Sequence, residues 1–277
     1  MIKLLIPWPA LLLDEEERVL LVSDLHIGFE YELAKMGISI PYQSDRFLRE
    51  LLTVVDQCKP QRLVIVGDLK HGIPVASFQE RREIPEFFNA LKERVRVVEV
   101  VRGNHDGGLQ NLMPKDVKIH SSRGLLIGEK FKVGVFHGHA WPSPRLMNAD
   151  LFVTGHNHPA VLLRTPLGIR LSRRIWAQGV CEGKRLASAY LESEGKAAGE
   201  DPLEQFQEFY NVKVRNPKMV LMPAFNDLLG GLPINSEAPK SLLGPLLRTG
   251  AVDTSDFEVY LLDGTFLGKV DFLRTLA

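Results

Sequence analysis

The 277-residue sequence is 45% hydrophobic and 25% charged, a balance that excludes wholesale disorder and suffices for one large domain or one domain with a small appendage. Lys and Arg total 34 and Asp and Glu total 34, so no whole-molecule field pulls the chain toward nucleic acid or an anionic membrane; such a substrate is permitted, not indicated. The two cysteines, Cys58 and Cys181, form no paired motif, the pattern of a reduced, cytoplasmic protein.

The stretch 1–13 is apolar but carries Pro7 and Pro9, lacks a basic start and runs into Asp14-Glu15-Glu16-Glu17. Neither a signal peptide nor a membrane span is expected there or elsewhere. Residues 18–23, 62–66 and 95–101 follow as short, continuous Val, Leu and Ile runs, as expected for strands buried on both faces of a sheet. Between them, 45–57 sets Phe47, Leu48, Leu51, Leu52, Val54 and Val55 on one helical face, with Ser44 or Asp45 as the expected cap. Residues 78–94 predict a second helix, limited or kinked by Pro85. Strand and helix in alternation imply a layered α/β architecture with parallel pairing, whose ligands bind beyond the carboxyl ends of the strands.

From about Asp116 the pattern changes to short strands at 124–127, 132–136, 151–154, 161–164 and 174–177, separated by turns such as Pro166-Leu167-Gly168. A second, mainly antiparallel sheet packed on the first is expected. Helical pieces at 185–191 and 202–210 flank a surface loop expected at Ala197-Ala198-Gly199-Glu200-Asp201. Strands at 219–222, 258–262 and 266–270, the last two joined by an Asp263-Gly264 turn, are expected to extend the second sheet. The chain then forms a single domain over 1–277, with a catalytic core at 1–182 and an extension at 183–277.

Five clusters carry chemistry: Asp24-x-His26, Gly67-Asp68-x-x-His71, Gly103-Asn104-His105-Asp106, His137-Gly138-His139 and Gly155-His156-Asn157-His158. Singly, each is readily a polar turn. Together, each at or just after a predicted strand, they supply what a pair of divalent ions needs, namely a carboxylate to bridge them and imidazole and amide or carboxylate donors to complete two open shells. No cysteine lies near, which argues against a closed structural zinc site.

This ordered series, D-x-H, G-D-x-x-(D/N/H), G-N-H-(D/E), H and G-H-x-H, resembles the calcineurin-like metallophosphoesterase superfamily. The resemblance implies an α/β, layered α-β-β-α sandwich with two packed mixed sheets. It implies one metal held by Asp24, His26 and His158, a second by Asn104, His137 and His156, and Asp68 bridging them. His105 would be the general acid, with Asp106 orienting its ring, while the metals activate water for in-line attack on phosphorus. His71 departs from the Asp or Asn of many relatives, so it is expected to support the ligands or face substrate instead of binding metal. His139 is expected to buttress the site or contact phosphate; Lys70 either touches substrate or is a surface lysine. Two divalent ions are implied, manganese first, with iron, zinc, nickel and magnesium also chemically arguable.

Ser23 to Glu30, Gly67 to His71, Gly155 to Pro159 and Leu221 to Asn226 are also similar to archaeal and bacterial phosphoesterases related to the ligase-associated DNA-damage-response endonuclease family. That narrower resemblance implies a phosphodiesterase or nuclease with a phosphate-ester substrate, DNA or RNA among them, linked to DNA repair. A phosphomonoesterase and a catalytically silent scaffold are the alternatives. Pro223-Ala224-Phe225, Phe29, Tyr31, Tyr42 and Trp141 are candidates to line a substrate groove, or else core and rim packing. Arg170, Arg173 and Arg174 are candidates for a phosphate patch, or else a solvated strand edge.

Overall fold

The computed structural model describes residues 1–164, 167–196, 199–236 and 242–276. Pro166 of the expected turn and Ala197 and Ala198 of the expected surface loop lie outside the described residues. The first sheet takes its strands in chain order: β1 (Ile2–Leu4), β2 (Ala10–Asp14), β3 (Arg18–Val22), β4 (Arg62–Val66), β5 (Val97–Val101) and β6 (Lys118–His120). β1, β2 and β3 pair antiparallel; β3 through β6 run parallel. Helices α1 (Phe29–Lys35), α2 (Ser44–Cys58) and α3 (Phe78–Lys92) lie in the connections after β3 and β4.

The second sheet holds β7 (Leu125–Ile127), β8 (Val133–Val135), β9 (Leu151–Thr154), β10 (Pro159–Arg164), β11 (Arg170–Val180), β12 (Lys218–Leu221), β13 (Leu232–Pro233), β14 (Glu258–Leu261) and β15 (Phe266–Lys269). Their order is β13-β10-β11-β12-β9-β8-β7, with β14 also on β11 and β15 on β14. Helices α4 (Gly183–Ser193), α5 (Pro202–Tyr210), α6 (Pro245–Arg248) and α7 (Val270–Arg274) complete the described α-helices, beside two short 3-10 turns at Leu109–Asn111 and Pro144–Asn148.

Side-chain alternation sorts the core into layers. On β3, Leu20 and Val22 join Leu63, Ile65, Val98 and Val100 against Phe47, Leu51 and Val54 of α2 and Ile84, Phe87, Phe88 and Leu91 of α3. The alternate residues Val19 and Leu21, with Val64, Val66 and Val101, meet Val133, Val135, Leu151, Val153, Trp176 and Val220 between the sheets. On the far face, Phe152, Ile175, Ala177, Met219 and Leu221 pack on Leu186, Tyr190 and Phe206 of α4 and α5. Helix, sheet, sheet and helix thus form a four-layer α-β-β-α sandwich, the expected class.

Several local details add to or correct these expectations. The apolar 1–13 stretch supplies β1 and β2 to the first sheet. β6 still pairs parallel with β5, so the change of pattern comes after Asp116, not at it. The second sheet is mainly antiparallel, as expected, but β9 runs parallel to both β8 and β12, and β13 to β10. The cap position of α2 is Gln43, with no side-chain cap bond, and Ser44 is already helical; the Gln43 amide oxygen accepts from Arg46 Nε instead. α3 starts at a Ser77–Glu80 capping box and continues through Pro85 without ending. Among the described residues, no helix is long and apolar enough to cross a membrane.

Candidate metal centre

The clusters follow the carboxyl ends of β3, β4 and β5 in one sheet and of β8 and β9 in the other. Their turns are laced by the backbone: Asp24 N–H donates to Gly67 O (3.2 Å), His26 N–H to Asp68 O (2.9 Å), Ile27 N–H to Leu69 O (2.8 Å) and His71 N–H to Ile27 O (3.0 Å). Asp24, His26, Asp68, His156 and His158 all adopt positive φ, between 41° and 68°. Left-handed backbone at non-glycine residues costs on the order of 1 kcal/mol or more each and persists where the surroundings enforce it, typically at functional sites.

Two motif glycines are required by close approach. A Cβ on Gly103 would lie 2.1 Å from Asp68 Oδ1 and 2.3 Å from Asp68 N, and one on Gly155 would lie 2.4 Å from Asp24 Oδ2. The backbone passes so near that Asp68 Oδ1 accepts from His105 N–H at 2.8 Å, and both Asp24 oxygens lie 3.2 Å from His156 N.

Among the described residues, three groups bring their potential ligand atoms within 4.8 Å of one another: Asp24, His26 and His158; Asp68, His137 and His156; and His26, His71 and His105. Asn104 Oδ1 lies 3.2 Å from His137 Nε2. His137 Nδ1 faces the Val66 carbonyl at 3.1 Å, so in the neutral ring the hydrogen sits on Nδ1 and Nε2 turns a lone pair toward Asp68 Oδ2, 3.3 Å away. His26 Nε2 and His158 Nε2 are buried without a hydrogen-bond partner, 3.4 Å from Asp68 Oδ2 and 3.3 Å from Asp24 Oδ1 respectively. Converging acceptors in a buried site repel one another unless a cation lies among them, so the donor set fits divalent metal.

The titration behaviour follows from the same charges. Burial would lower His137, but Asp68 and Asp24 raise it to about 9. Burial also opposes the charge on Asp24 and Asp68, yet the imidazoles beside them hold both below the usual carboxylate range. His158 is raised against its burial by Asp24, while burial lowers His26. Burial, then the charge of His137, lowers His156 to about 3 and His139 to about 4; burial and the neighbouring His26 and His105 lower His71 to about 4.

Other expected site residues are placed differently. Asp106 does not hold the ring of His105: its oxygens accept from the backbone N–H of Gly103 (2.8 Å), Leu69 (3.0 Å) and Lys70 (3.3 Å), and burial and the charge of Asp68 raise it to about 6. The ring of His105 is tied through Nδ1 to the His71 carbonyl at 2.7 Å. Lys70 is no surface lysine; it is 1% exposed and its ammonium donates to the Gly72 carbonyl. His71 lies against His26, Nδ1 to Nδ1 at 3.0 Å. His139 sits 5.2 Å from His137 and 5.9 Å from His156, ring to ring, with a buried, unpartnered Nδ1.

The groove candidates divide. Trp141, half-buried, packs edge-on against Tyr190 at 5.2 Å, at the margin of the core on the far face of the second sheet. Phe225 is buried beside Phe47, and Tyr42 is exposed under the guanidinium of Arg82. Phe29 lies edge-on to His71 at 5.0 Å, and Tyr31 lines a cavity that also touches His71 and His105. Arg174 donates to the Ala224 and Phe225 carbonyls, a structural use, while Arg170 and Arg173 are exposed.

The sequence reading assigned no supporting role to three further residues. Asn226, fully buried, donates through Nδ2 to Leu25 O (3.0 Å), and its N–H reaches Asp24 O (3.3 Å). Asn157 exchanges two hydrogen bonds with the backbone of Leu243, 2.7 and 3.1 Å. Glu80 accepts from the N–H of His71 (2.9 Å) and Gly72 (2.6 Å). Only the Ser77-x-x-Glu80 spacing carried a readable signal, that of a capping box.

The chain matches the family model of calcineurin-like phosphoesterases over residues 17–215. It is similar to the solved nuclease MPE of Pseudomonas putida, with 20% identity, coverage of 95% of this chain and 94% of that one, and a TM-score of 0.54. It also resembles Yfce, a phosphoesterase from E. coli, at 24% identity over 55% of this chain and 75% of that one, with a TM-score of 0.35. A comparison with curated proteins gives no match. The chain belongs to the calcineurin-like phosphoesterase family and is a metal-dependent hydrolase of phosphate esters.

Proposed function

We propose that this hydrolase cleaves phosphodiesters at a pair of divalent ions, with nucleic acid as its substrate class and manganese as its first-choice metal. Asp24, His26 and His158 would hold one ion, Asn104, His137 and His156 the other, with Asp68 between them. The observation that carries this reading is a single oxygen: Asp68 Oδ2 lies 3.4 Å from His26 Nε2 of one set and 3.3 Å from His137 Nε2 of the other. Bound there, the ions supply Lewis acidity toward the phosphoryl oxygens and acidify a water for attack.

The chain's own residues do the rest. Asp68 keeps Oδ2 for the centre because Oδ1 is engaged by His105 N–H. His105, with Nδ1 on the His71 carbonyl, has Nε2 available to carry a proton to the departing oxygen. Asp106 ties the 103–106 turn to the 68–70 turn and so sets the distance between His105 and Asp68. The one lysine within the five clusters, Lys70, is committed to a carbonyl. A diester monoanion needs less protein countercharge than a monoester dianion, which favours the diester. Likeness in fold to a nuclease over nearly the whole chain agrees with a nucleic-acid substrate.

Elemental analysis after manganese loading and dialysis, with paired assays on bis(p-nitrophenyl) phosphate and p-nitrophenyl phosphate, tests this. Two equivalents per chain and faster diester turnover are expected. A single equivalent, or faster monoester turnover, rejects it.

A further inference from the structure

Beside His105 opens a cavity of about 470 Å³, within the range of small-ligand sites. His71 and His105 line it together with Tyr31 and Lys35 of α1 and with Ile73 and Val75. Tyr31, Ile73 and Val75 are 51%, 59% and 64% exposed, so flat and branched apolar surface stands in water directly beside the proposed proton donor. The charges at the rim cancel: the Lys35 ammonium pairs with Glu32 at 3.0 Å and sits 4.7 Å from the centre of the Tyr31 ring. The acid inside, Glu80, is occupied by the His71 and Gly72 N–H groups. Such a cavity suits an uncharged planar ring better than a phosphate. An alcohol that leaves from His105 must carry its own substituent outward, and this space is continuous with His105.

We infer that the cavity takes the base of the leaving nucleotide, stacked on Tyr31 and flanked by Ile73 and Val75; the inference rests on the diesterase reading. Tyr31 is then a specificity residue for the leaving side, and Lys35 holds its ring. Fluorescence anisotropy with two labelled strands of equal length tests it: oligothymidylate and an abasic sugar-phosphate strand, both phosphorothioate-linked so that neither is cut. The wild-type protein, loaded with manganese, binds the thymidylate strand about tenfold tighter or more, as base–aromatic stacking provides. Tyr31→Ala and Val75→Asp, both at exposed positions, bring that ratio close to one. Equal wild-type affinity for the two strands, or a ratio that survives both substitutions, overturns the assignment. Bis(p-nitrophenyl) phosphate turnover is scored separately. Its absence in the wild type removes the diesterase reading, while the binding ratio decides the cavity by itself.

Discussion

The ring of His105 hangs from the backbone of His71, Nδ1 to carbonyl oxygen at 2.7 Å, and the two rings stack with centroids 5.1 Å apart and planes 23° from parallel. The 71–72 segment is itself pinned by Glu80, so the proposed acid is positioned by a helix capping residue. His105→Ala is expected to lower diester turnover about 100- to 10,000-fold, the usual worth of a positioned acid, with metal content unchanged. His105→Asn keeps a donor for the His71 carbonyl and should fall as far. Recovery by Asn would mean that the tether, not proton transfer, is what the ring supplies.

The pH dependence of stability follows from His137. Its pKa of about 9 lies above the usual 6.5, because Asp68 and Asp24 outweigh the burial that would lower it. The folded state therefore holds this proton more tightly than the unfolded state. The stabilisation is complete below pH 6.5 and is lost as pH rises through about 9. At about 1.4 kcal/mol per unit it is worth at most about 3 kcal/mol. Chelator-treated protein should show a falling Tm from pH 6.5 to 9 by scanning calorimetry, and added manganese should restore it. A level Tm across that window would exclude the imidazolium as a stand-in for a metal cation.

Gly103→Ala is expected to disable the centre from outside it. The new methyl would meet Asp68 Oδ1 at 2.1 Å and its backbone N at 2.3 Å, so Asp68 or the turn must move. Overpacking of this kind costs about 1–3 kcal/mol, and a displaced Asp68 should reduce bound manganese below the wild-type value. Tm and elemental analysis on one sample report both; full metal content with unchanged Tm contradicts the close approach.

Asn226→Ala should act over 200 residues of sequence. It removes the amide that donates to Leu25 O and the oxygen that accepts from Leu228 N–H at 2.9 Å. A buried hydrogen-bonding group left unpaired costs about 1–3 kcal/mol, a drop of several degrees in Tm, and the loosened 24–26 turn should also lower turnover. Wild-type turnover in this variant would show that the clamp serves stability alone.

The proposed donors were readable because metal chemistry accepts few side chains, and because mostly apolar runs such as β4 and β9 announce where a buried strand ends. The supports were not. Asp106 and Lys70 look like site residues by position, yet backbone N–H groups and a carbonyl claim them, and such partners leave no mark on residue type. β6 is three residues long, too short for a period to show. The parallel pairing of β9 in the second sheet depends on β12 slotting beside it from 64 positions away, 218 less 154, which local pattern cannot reveal. Trp141 follows His139 by two positions, yet its ring packs against Tyr190 of α4.

The clamp of Phe225 and Asn226 on Ser23 and Asp24 also orders events during translation. The Asp24 turn is made early, but its partners in this clamp are synthesised about 200 residues later. A nascent or prematurely terminated chain can therefore display its first ligands without the framework that keeps them in their strained geometry. Cation capture should accordingly wait for residues 225 and 226, and C-terminal truncations ending before Pro223 should be poor at retaining ions even though every proposed donor is present.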